Sequence, residues 1–367
     1  MTDHLAAPYG ARIAAARSVL SERGIDCLLV TSHVNVRYLT GFAGSSGWVL
    51  LSGAAAILAT DSRYIEQVRS DLGDSFARLA DGGLNAFAAA YICELGFAAL
   101  AFEAEHLSYA GVNALEAALR AAGARCQLRA TEGIVEGLRV RKDDGEIDAI
   151  RQAAALTDGA IAHARATIRS GMTERELAWN LERWMRENGS GPIAFSIIVA
   201  SGPNAALPHA VPGDRPFAPG EPIVIDIGAT CNGYCSDLTR TLFVQRMDHP
   251  FDSVYQTVLS AHMAALHGAR NDMEPSVVDE KARIVIRDAG LAEYFTHGLG
   301  HGVGLEIHER PTVSTRSTEK LTDRMVFTIE PGVYLPGQGG VRIEDTVVML
   351  NGTPRSFSHS NKTDPIV

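Results

Sequence analysis

The sequence predicts a mixed α/β chain, α+β when taken as a whole, with an α/β domain at 1–132 followed by a strand-rich second domain at 133–367. Three observations predict it. The chain's 367 residues exceed one typical domain. The first third alternates short apolar runs with helical patterns. Near Val140 a charged, loop-like stretch, Arg141-Lys142-Asp143-Asp144-Gly145-Glu146, interrupts that rhythm, and beyond Pro192 strand patterns dominate.

Taken in order, residues 10–24 place Ala, Ile, Val and Leu against Arg and Glu at helical spacing. The apolar runs Cys27–Val30, Val36–Phe42, Trp48–Leu51 and Ala54–Ala59, separated by Gly, Ser, Asn and Asp, read as strands of one sheet. Residues 83–130 read as helix, strand (Ala98–Phe102), helix, strand (Cys126–Arg129). A long amphipathic helix then runs towards Arg169. Thr173 and Glu176 have capping-box spacing and open a helix ending near Arg186. Two further helices are expected at 250–269 and 275–289. No repeat period is visible.

Composition limits the function classes. Hydrophobic residues make up 46% and charged residues 21%, an ordinary globular balance. The net charge of −10 argues against nucleic acid and anionic membrane surfaces, both of which need a surplus of Lys and Arg. The five cysteines lack metal-type spacing and read as free thiols. No signal-peptide run and no window near the ~18 apolar residues of a membrane span are present, so a cytoplasmic protein is expected.

The chemistry-bearing residues lie in the second half. Ile223 to Thr239 looks like a hairpin turning at Asn232-Gly233. With those two residues in the loop, Cys231 faces Tyr234 and Asp226 faces Thr239. Asp237 is then the diagonal neighbour of Asp226, with Cα atoms roughly 7–8 Å apart on one face. Two like charges on an apolar strand face are unfavourable without a cation. A second hairpin ends one strand on Glu330-Pro331-Gly332, passes a Gly- and Pro-rich loop, and returns through Gly340–Val347. Arg342 and Glu344, two apart on that return strand, point the same way. Between the hairpins, His297, His301 and His308 fall within twelve residues rich in glycine, a pattern that suits a crowded site where only a Gly backbone fits. Four carboxylates with an imidazole make an oxygen-rich donor set, suited to Mn²⁺ first, with Co²⁺ or Zn²⁺ as alternatives. So many negative charges fit two divalent ions better than one, and ions about 3.5–4 Å apart can activate a water for hydrolysis.

The set Asp226, Asp237, His301, Glu330 and Glu344, carried by Asp-Leu-Thr-Arg-Thr at 237–241, His-Gly-Leu-Gly-His-Gly at 297–302, Ile-Glu-Pro-Gly at 329–332 and Arg-Ile-Glu-Asp at 342–345, resembles the ligands of the pita-bread metallopeptidases. That family includes methionine aminopeptidase, aminopeptidase P and prolidase. Methionine aminopeptidases lack a comparable N-terminal domain and an Arg two residues before the last Glu. Creatinase has the fold without the metal ligands. Here Asn35–Phe42 (Asn-Val-Arg-Tyr-Leu-Thr-Gly-Phe) and Asp61-Ser-Arg-Tyr64 resemble the N-terminal domain of the creatinase/prolidase branch.

The resemblance implies a creatinase/prolidase-like N-terminal domain followed by a pita-bread catalytic domain, and an exopeptidase that cuts the Xaa-Pro bond of dipeptides or short peptides. Prolidase is the first reading. Aminopeptidase P, and then a ligand-binding module without activity, are the alternatives. Asp237 and Glu344 would bridge the two ions, with Asp226 on one and His301 and Glu330 on the other. Glu330 would shuttle the proton of the attacking water. His209 and His308 would steady the oxyanion and the leaving group, and His209, His297 and His308 would contact substrate. Arg342 would orient Glu344 or the substrate. A homodimer is implied. A dipeptidase must also hold the substrate's C-terminal carboxylate, and Asn35, Arg37 or Arg63 of a partner subunit are candidates for that role.

Overall fold

The computed structural model describes residues 8–367. The chain forms two compact units, one ending at Arg139 and the other Val140–Val367.

The first unit carries α1 (Tyr9–Glu22), β1 (Cys27–Val30), α2 (His33–Thr40), β2 (Gly47–Ser52), β3 (Ala56–Thr60) and α3 (Ile65–Leu72). It continues with β4 (Ala77–Leu79), α4 (Leu84–Leu95), β5 (Ala99–Glu103), α5 (Tyr109–Ala121), β6 (Gln127–Thr131) and α6 (Ile134–Arg139). Its strands make one mixed sheet in the order β4-β3-β2-β1-β5-β6. The run at 36–42, read from sequence as a strand, is helical. Ser32 caps α2 by accepting from the Asn35 amide, and Gly41 closes it at a left-handed φ of 79°. Those flanking residues are helix signals, and they outweigh the β-branched character of Val36 and Thr40.

The second unit opens with α7 (Asp144–Thr167) and α8 (Glu174–Glu187). Both have reciprocal capping boxes, Asp143 with Glu146 and Thr173 with Glu176, the second as the spacing predicted. Then follow β7 (Ile198–Ser201), β8 (Pro222–Ile227), β9 (Thr230–Cys231), β10 (Tyr234–Cys235), β11 (Leu238–Phe243), α9 (Phe251–Gly268) and α10 (Pro275–Asp288). The chain ends with β12 (Gly300–Gly302), β13 (Glu309–Val313), β14 (Val326–Ile329), β15 (Gly332–Leu335), β16 (Gly339–Arg342), β17 (Asp345–Leu350) and β18 (Thr353–Ser356). A three-stranded sheet β11-β8-β7 and a five-stranded sheet β13-β12-β14-β17-β18 are its main layers.

Helices cover these sheets through apolar faces. Ile161 of α7 and Leu181 of α8 share a core with Val199, Ile225 and Leu242. Val258 of α9 and Ala282 of α10 share another with Phe327 and Val347. Burying each such Val, Leu, Ile or Phe side chain stabilises by roughly 1.5–3 kcal/mol, so the strands that carry the acidic residues rest on rigid supports. Among the described residues, no helix is long and apolar enough to cross a membrane.

Candidate metal centre

Two hairpins deliver the acidic residues. The first keeps the register expected from Asn232-Gly233, with Cys231 opposite Tyr234 and Asp226 opposite Thr239. Both turn residues have positive φ, 49° and 80°, as a tight two-residue hairpin turn requires. In the second, Ile329 pairs with Asp345 and Gly332 with Arg342. The ladder opens between these pairs, where Pro331 has no N–H to contribute and Glu330 lies across from Glu344. There the Glu330 amide donates instead to the Leu299 carbonyl at 2.8 Å, and the Glu344 amide to the Thr239 carbonyl at 3.1 Å. Opening the ladder thus ties the second hairpin to both the histidine segment and the first hairpin. The loop expected directly after Gly332 is shorter than the sequence suggested, because Gly332–Leu335 is a strand.

Glycine does the work expected of it in the histidine segment. A Cβ on Gly300 would sit 2.0 Å from the Thr328 carbonyl oxygen, so β12 approaches β14 as no other residue permits. This brings His301 Nε2 to 3.5 Å from Asp237 Oδ2 and 3.3 Å from Glu330 Oε1. One donor atom each from Asp237, His301 and Glu344 lie within 4.8 Å of one another. Arg342 holds Asp226 directly, its Nη2 donating to Oδ2 at 2.7 Å. It reaches Glu344 only through Thr239: Arg342 Nε donates to Thr239 Oγ1 at 3.1 Å, and that hydroxyl donates to Glu344 Oε2 at 2.7 Å.

The electrostatics are those of a crowded acidic pocket. Burial raises the Asp237 and Glu344 carboxyls well above their usual range, and the neighbouring carboxylates add to it. Burial also pushes Glu330 up to about 7. Burial lowers His301, so its ring is neutral at physiological pH. With Nδ1–H donating to the Gly302 carbonyl at 3.1 Å, the Nε2 lone pair faces Asp237 and Glu330. Asp226 Oδ1 and Glu344 Oε1 are buried acceptors with no hydrogen-bond partner among the described residues. Buried oxygens without donors, like charges in contact and a neutral imidazole fit divalent cations, which satisfy all three at once.

A cavity of about 720 Å³ opens onto this cluster and is lined by Asp226, Asp237, Glu330, Glu344, His301 and Arg342, together with His209, His297 and His308. The ring of His308 lies edge-on to that of His301, 4.3 Å between centroids. His297 lines the same cavity with both ring nitrogens engaged. Its Nδ1 meets the Gly298 carbonyl at 2.8 Å and its Nε2 the Tyr334 hydroxyl at 2.9 Å. His297, expected to contact substrate, thus lines the cavity with both ring nitrogens already held by its neighbours.

Comparison with known proteins follows this geometry. The profile described as "Metallopeptidase family M24" matches residues 148–351, and "Creatinase/Prolidase N-terminal domain" matches residues 12–141. The chain belongs to metallopeptidase family M24. It superposes on the structure of an Xaa-Pro dipeptidase from Bacillus anthracis with a TM-score of 0.93 and 37% identity, covering 98% of this chain and 100% of that one. An X-Pro aminopeptidase from Thermotoga maritima gives a TM-score of 0.87 at 35% identity, covering 97% and 99%. A curated Xaa-Pro dipeptidase from Pyrococcus furiosus is 35% identical over 92% of this chain and 94% of its own length. The second unit has the pita-bread fold of this family.

Three M24 site residues had no signal of their own in the sequence. Thr239 appeared there as a register partner and within the string at 237–241 but with no role assigned, yet its hydroxyl joins Arg342 to Glu344. Thr328 accepts from the His301 amide and donates to Glu330 Oε1, both at 3.1 Å. Tyr334 accepts from Arg342 Nη1 at 3.0 Å and donates towards His297, extending a chain of polar contacts behind the acidic cluster. Each acts on a neighbour that becomes apparent only once the strands are paired.

Proposed function

We propose that this M24 peptidase hydrolyses the Xaa-Pro bond of dipeptides, using two divalent ions held by Asp226, Asp237, His301, Glu330 and Glu344. The observation that carries this reading is the convergence of four carboxylates and a neutral histidine, with unsatisfied buried oxygens, at one wall of the cavity. In it, Asp226, Asp237, His301, Glu330 and Glu344 would together hold the ions, with Asp237, His301 and Glu344 at the centre of the set. The oxygen-rich set favours Mn²⁺, with Co²⁺ or Zn²⁺ as substitutes. When bound, the ions supply an activated water and polarise the scissile carbonyl.

The chain's own groups do the rest. Glu330 takes the proton of the attacking water at a carboxylate oxygen and passes it to the departing proline nitrogen. His308 and His209 donate to the oxyanion as it forms. Arg342 fixes Asp226 through a bond of 2.7 Å and, with Thr239, keeps the second hairpin aligned. Phe195, Ile198 and Ile307 give the cavity an apolar wall against which a pyrrolidine ring can shed its water. Proline needs such a slot because its nitrogen offers no N–H for recognition.

The likeness to the Thermotoga maritima X-Pro aminopeptidase favours a second reading, release of the first residue from longer Xaa-Pro peptides. Hydrolysis of Ala-Pro and Ala-Pro-Ala by Mn²⁺-loaded protein, with a chelated control, tests both. Cleavage of the dipeptide with the tripeptide spared is expected, cleavage of the tripeptide supports the second reading, and cleavage of neither overturns the Xaa-Pro assignment.

A further inference from the structure

The histidines that line the cavity beside His301 are held in different ways. His297 has both ring nitrogens engaged, and His308 lies edge-on against His301. His209 is exposed, and among the described residues its ring has no hydrogen bond or ion pair. Its place at the cavity wall therefore depends on the backbone that carries it.

That backbone is the loop between β7 and β8. Pro208 and His209 are the central residues of a turn that the Ala210 amide closes on the Leu207 carbonyl at 3.2 Å, and proline suits the first central position. Ala205 and Ala210, on either side of the turn, are buried with Ile198, Ala200 and Val224. The Pro208 carbonyl, in the peptide that enters His209, accepts from Arg342 Nη1 at 3.3 Å. A Cβ on Gly340 would lie 2.2 Å from the Ala205 carbonyl oxygen, so the loop is seated closely on β16.

The two limbs of this loop meet at one side chain. Glu174, in the first turn of α8, has no exposure to solvent. Its Oε1 accepts from the Ser201 amide at 2.7 Å, the Ser201 hydroxyl at 2.8 Å and Asn204 Nδ2 at 3.0 Å. Its Oε2 accepts from the Gly213 amide at 3.0 Å and from Asn204 Nδ2 at 3.2 Å. The same turn of α8 takes the returning limb by its backbone. The Arg175 amide donates to the Gly213 carbonyl at 3.0 Å, and the Glu174 amide to the Arg215 carbonyl at 3.2 Å. Burying an acid among neutral donors is costly, and the bonds that offset it form only while Ser201 and Gly213 keep the spacing that the carboxyl spans.

We propose that Glu174 is a positioning residue for His209: it fixes the two limbs of the loop and thereby the place of the imidazole at the cavity wall. The proposal rests on the reading of His209 as an oxyanion donor given above. Glutamine at 174 would keep the shape but supply one oxygen only. Its NH₂ group would face a limb that itself donates, so one limb would be released.

The test is a double-mutant cycle of Glu174→Gln and His209→Ala on Ala-Pro hydrolysis by Mn²⁺-loaded protein, with Mn²⁺ titrations beside it. His209→Ala should lower kcat by about a hundredfold, the worth of one oxyanion donor. Glu174→Gln should lower kcat by about ten- to a hundredfold, as for a group displaced by about 1 Å, with KM and Mn²⁺ affinity nearly unchanged. The double variant should match His209→Ala within about twofold. Asn204→Ala removes two of the bonds to Glu174 and spares the carboxyl, so it should show the same pattern at smaller size, and it carries the cycle where Glu174→Gln fails to fold. A loss of kcat that persists in full in the His209→Ala background, a loss that falls on Mn²⁺ affinity instead, or no loss at all overturns the proposal. The His209 imidazole NMR signal of Zn²⁺-loaded protein, assigned by its absence in His209→Ala, reads the same placement without substrate. It should be single in wild type and broadened or split in Glu174→Gln, and an unchanged signal overturns the proposal. If wild type leaves Ala-Pro intact, or His209→Ala keeps the wild-type kcat, the functional reading above falls and this signal alone decides whether Glu174 places the ring.

Discussion

Glu344 and Asp345 are adjacent, both buried, and face opposite sides of the same stretch of chain. Glu344 meets other carboxylates across the cavity, its Oε1 has no partner, and burial with those neighbours raises its pKa. Asp345 receives Arg240 Nη2 at 2.8 Å and also the Lys362 ammonium. Burial raises this carboxyl too, but Arg240, His262 and Lys362 outweigh it and hold Asp345 at about 2. Strand alternation creates this contrast, with one face carrying a satisfied ion pair that holds the fold together and the other a destabilising cluster whose remedy is a cation. Arg240 joins the two, because its Nη1 donates to the carbonyls of both Thr239 and Glu344.

The largest effect should come from the cavity face. Glu344→Gln removes a charge that is unfavourable without metal, so the metal-free protein should unfold at equal or higher denaturant. Its peptidase activity should fall by about a thousandfold or more, about 4 kcal/mol of transition-state stabilisation, and its bound metal should drop. Loss of stability comparable to loss of activity would break the comparison.

On the opposite face the signs reverse. Asp345→Asn leaves the fully buried Arg240 with one charge partner fewer, and should cost about 3–5 kcal/mol in equilibrium unfolding. Retention of wild-type stability would mean that Arg240 needs no counter-charge.

The two faces should also answer pH in opposite directions. Glu330 has a folded pKa of about 7 against 4.5 for the free group, so the native state binds the extra proton. Stability of the metal-free protein from this group should therefore fall as pH rises from about 4.5 through about 7. Asp345, held at about 2 against 3.8, contributes stability that is present above 3.8 and lost as pH falls through about 2. Denaturant midpoints of metal-free protein at pH 5 and pH 7.5 read the first trend, and adding Mn²⁺ should flatten it. A midpoint that rises towards pH 7.5 without metal would contradict the crowding of the carboxylates.

What the sequence made legible follows from the same contrast. Asn232-Gly233 is a local signal, and it set the register that puts Asp226 opposite Thr239. The capping box at Thr173 and Glu176 is equally local. The run at 36–42 misled because its apolar residues suit either element, and the deciding signals are the cap Ser32, outside the run, and Gly41, which breaks it. Thr328 and Tyr334 left no trace, and Arg240 and Asp345 appeared only within the strings at 237–241 and 342–345 with no sign of their pairing, since these partners are brought close by pairing between distant strands.

Thr239 gives the smallest and most discriminating test. Its hydroxyl accepts from Arg342 Nε and donates to Glu344 Oε2, so it transmits the position of one to the other. Thr239→Val keeps the shape and removes both bonds at a site with no exposure to solvent. Stability should fall by about 1–3 kcal/mol, the cost of leaving buried polar groups without partners. If the hydroxyl also aligns Glu344, metal affinity should fall by about 10–100-fold, as for other groups that orient a metal-binding residue. Titrating Mn²⁺ into both proteins separates the cases. Lost stability with unchanged affinity would assign Thr239 to the fold, whereas lost affinity restored by Thr239→Ser would assign it to the site.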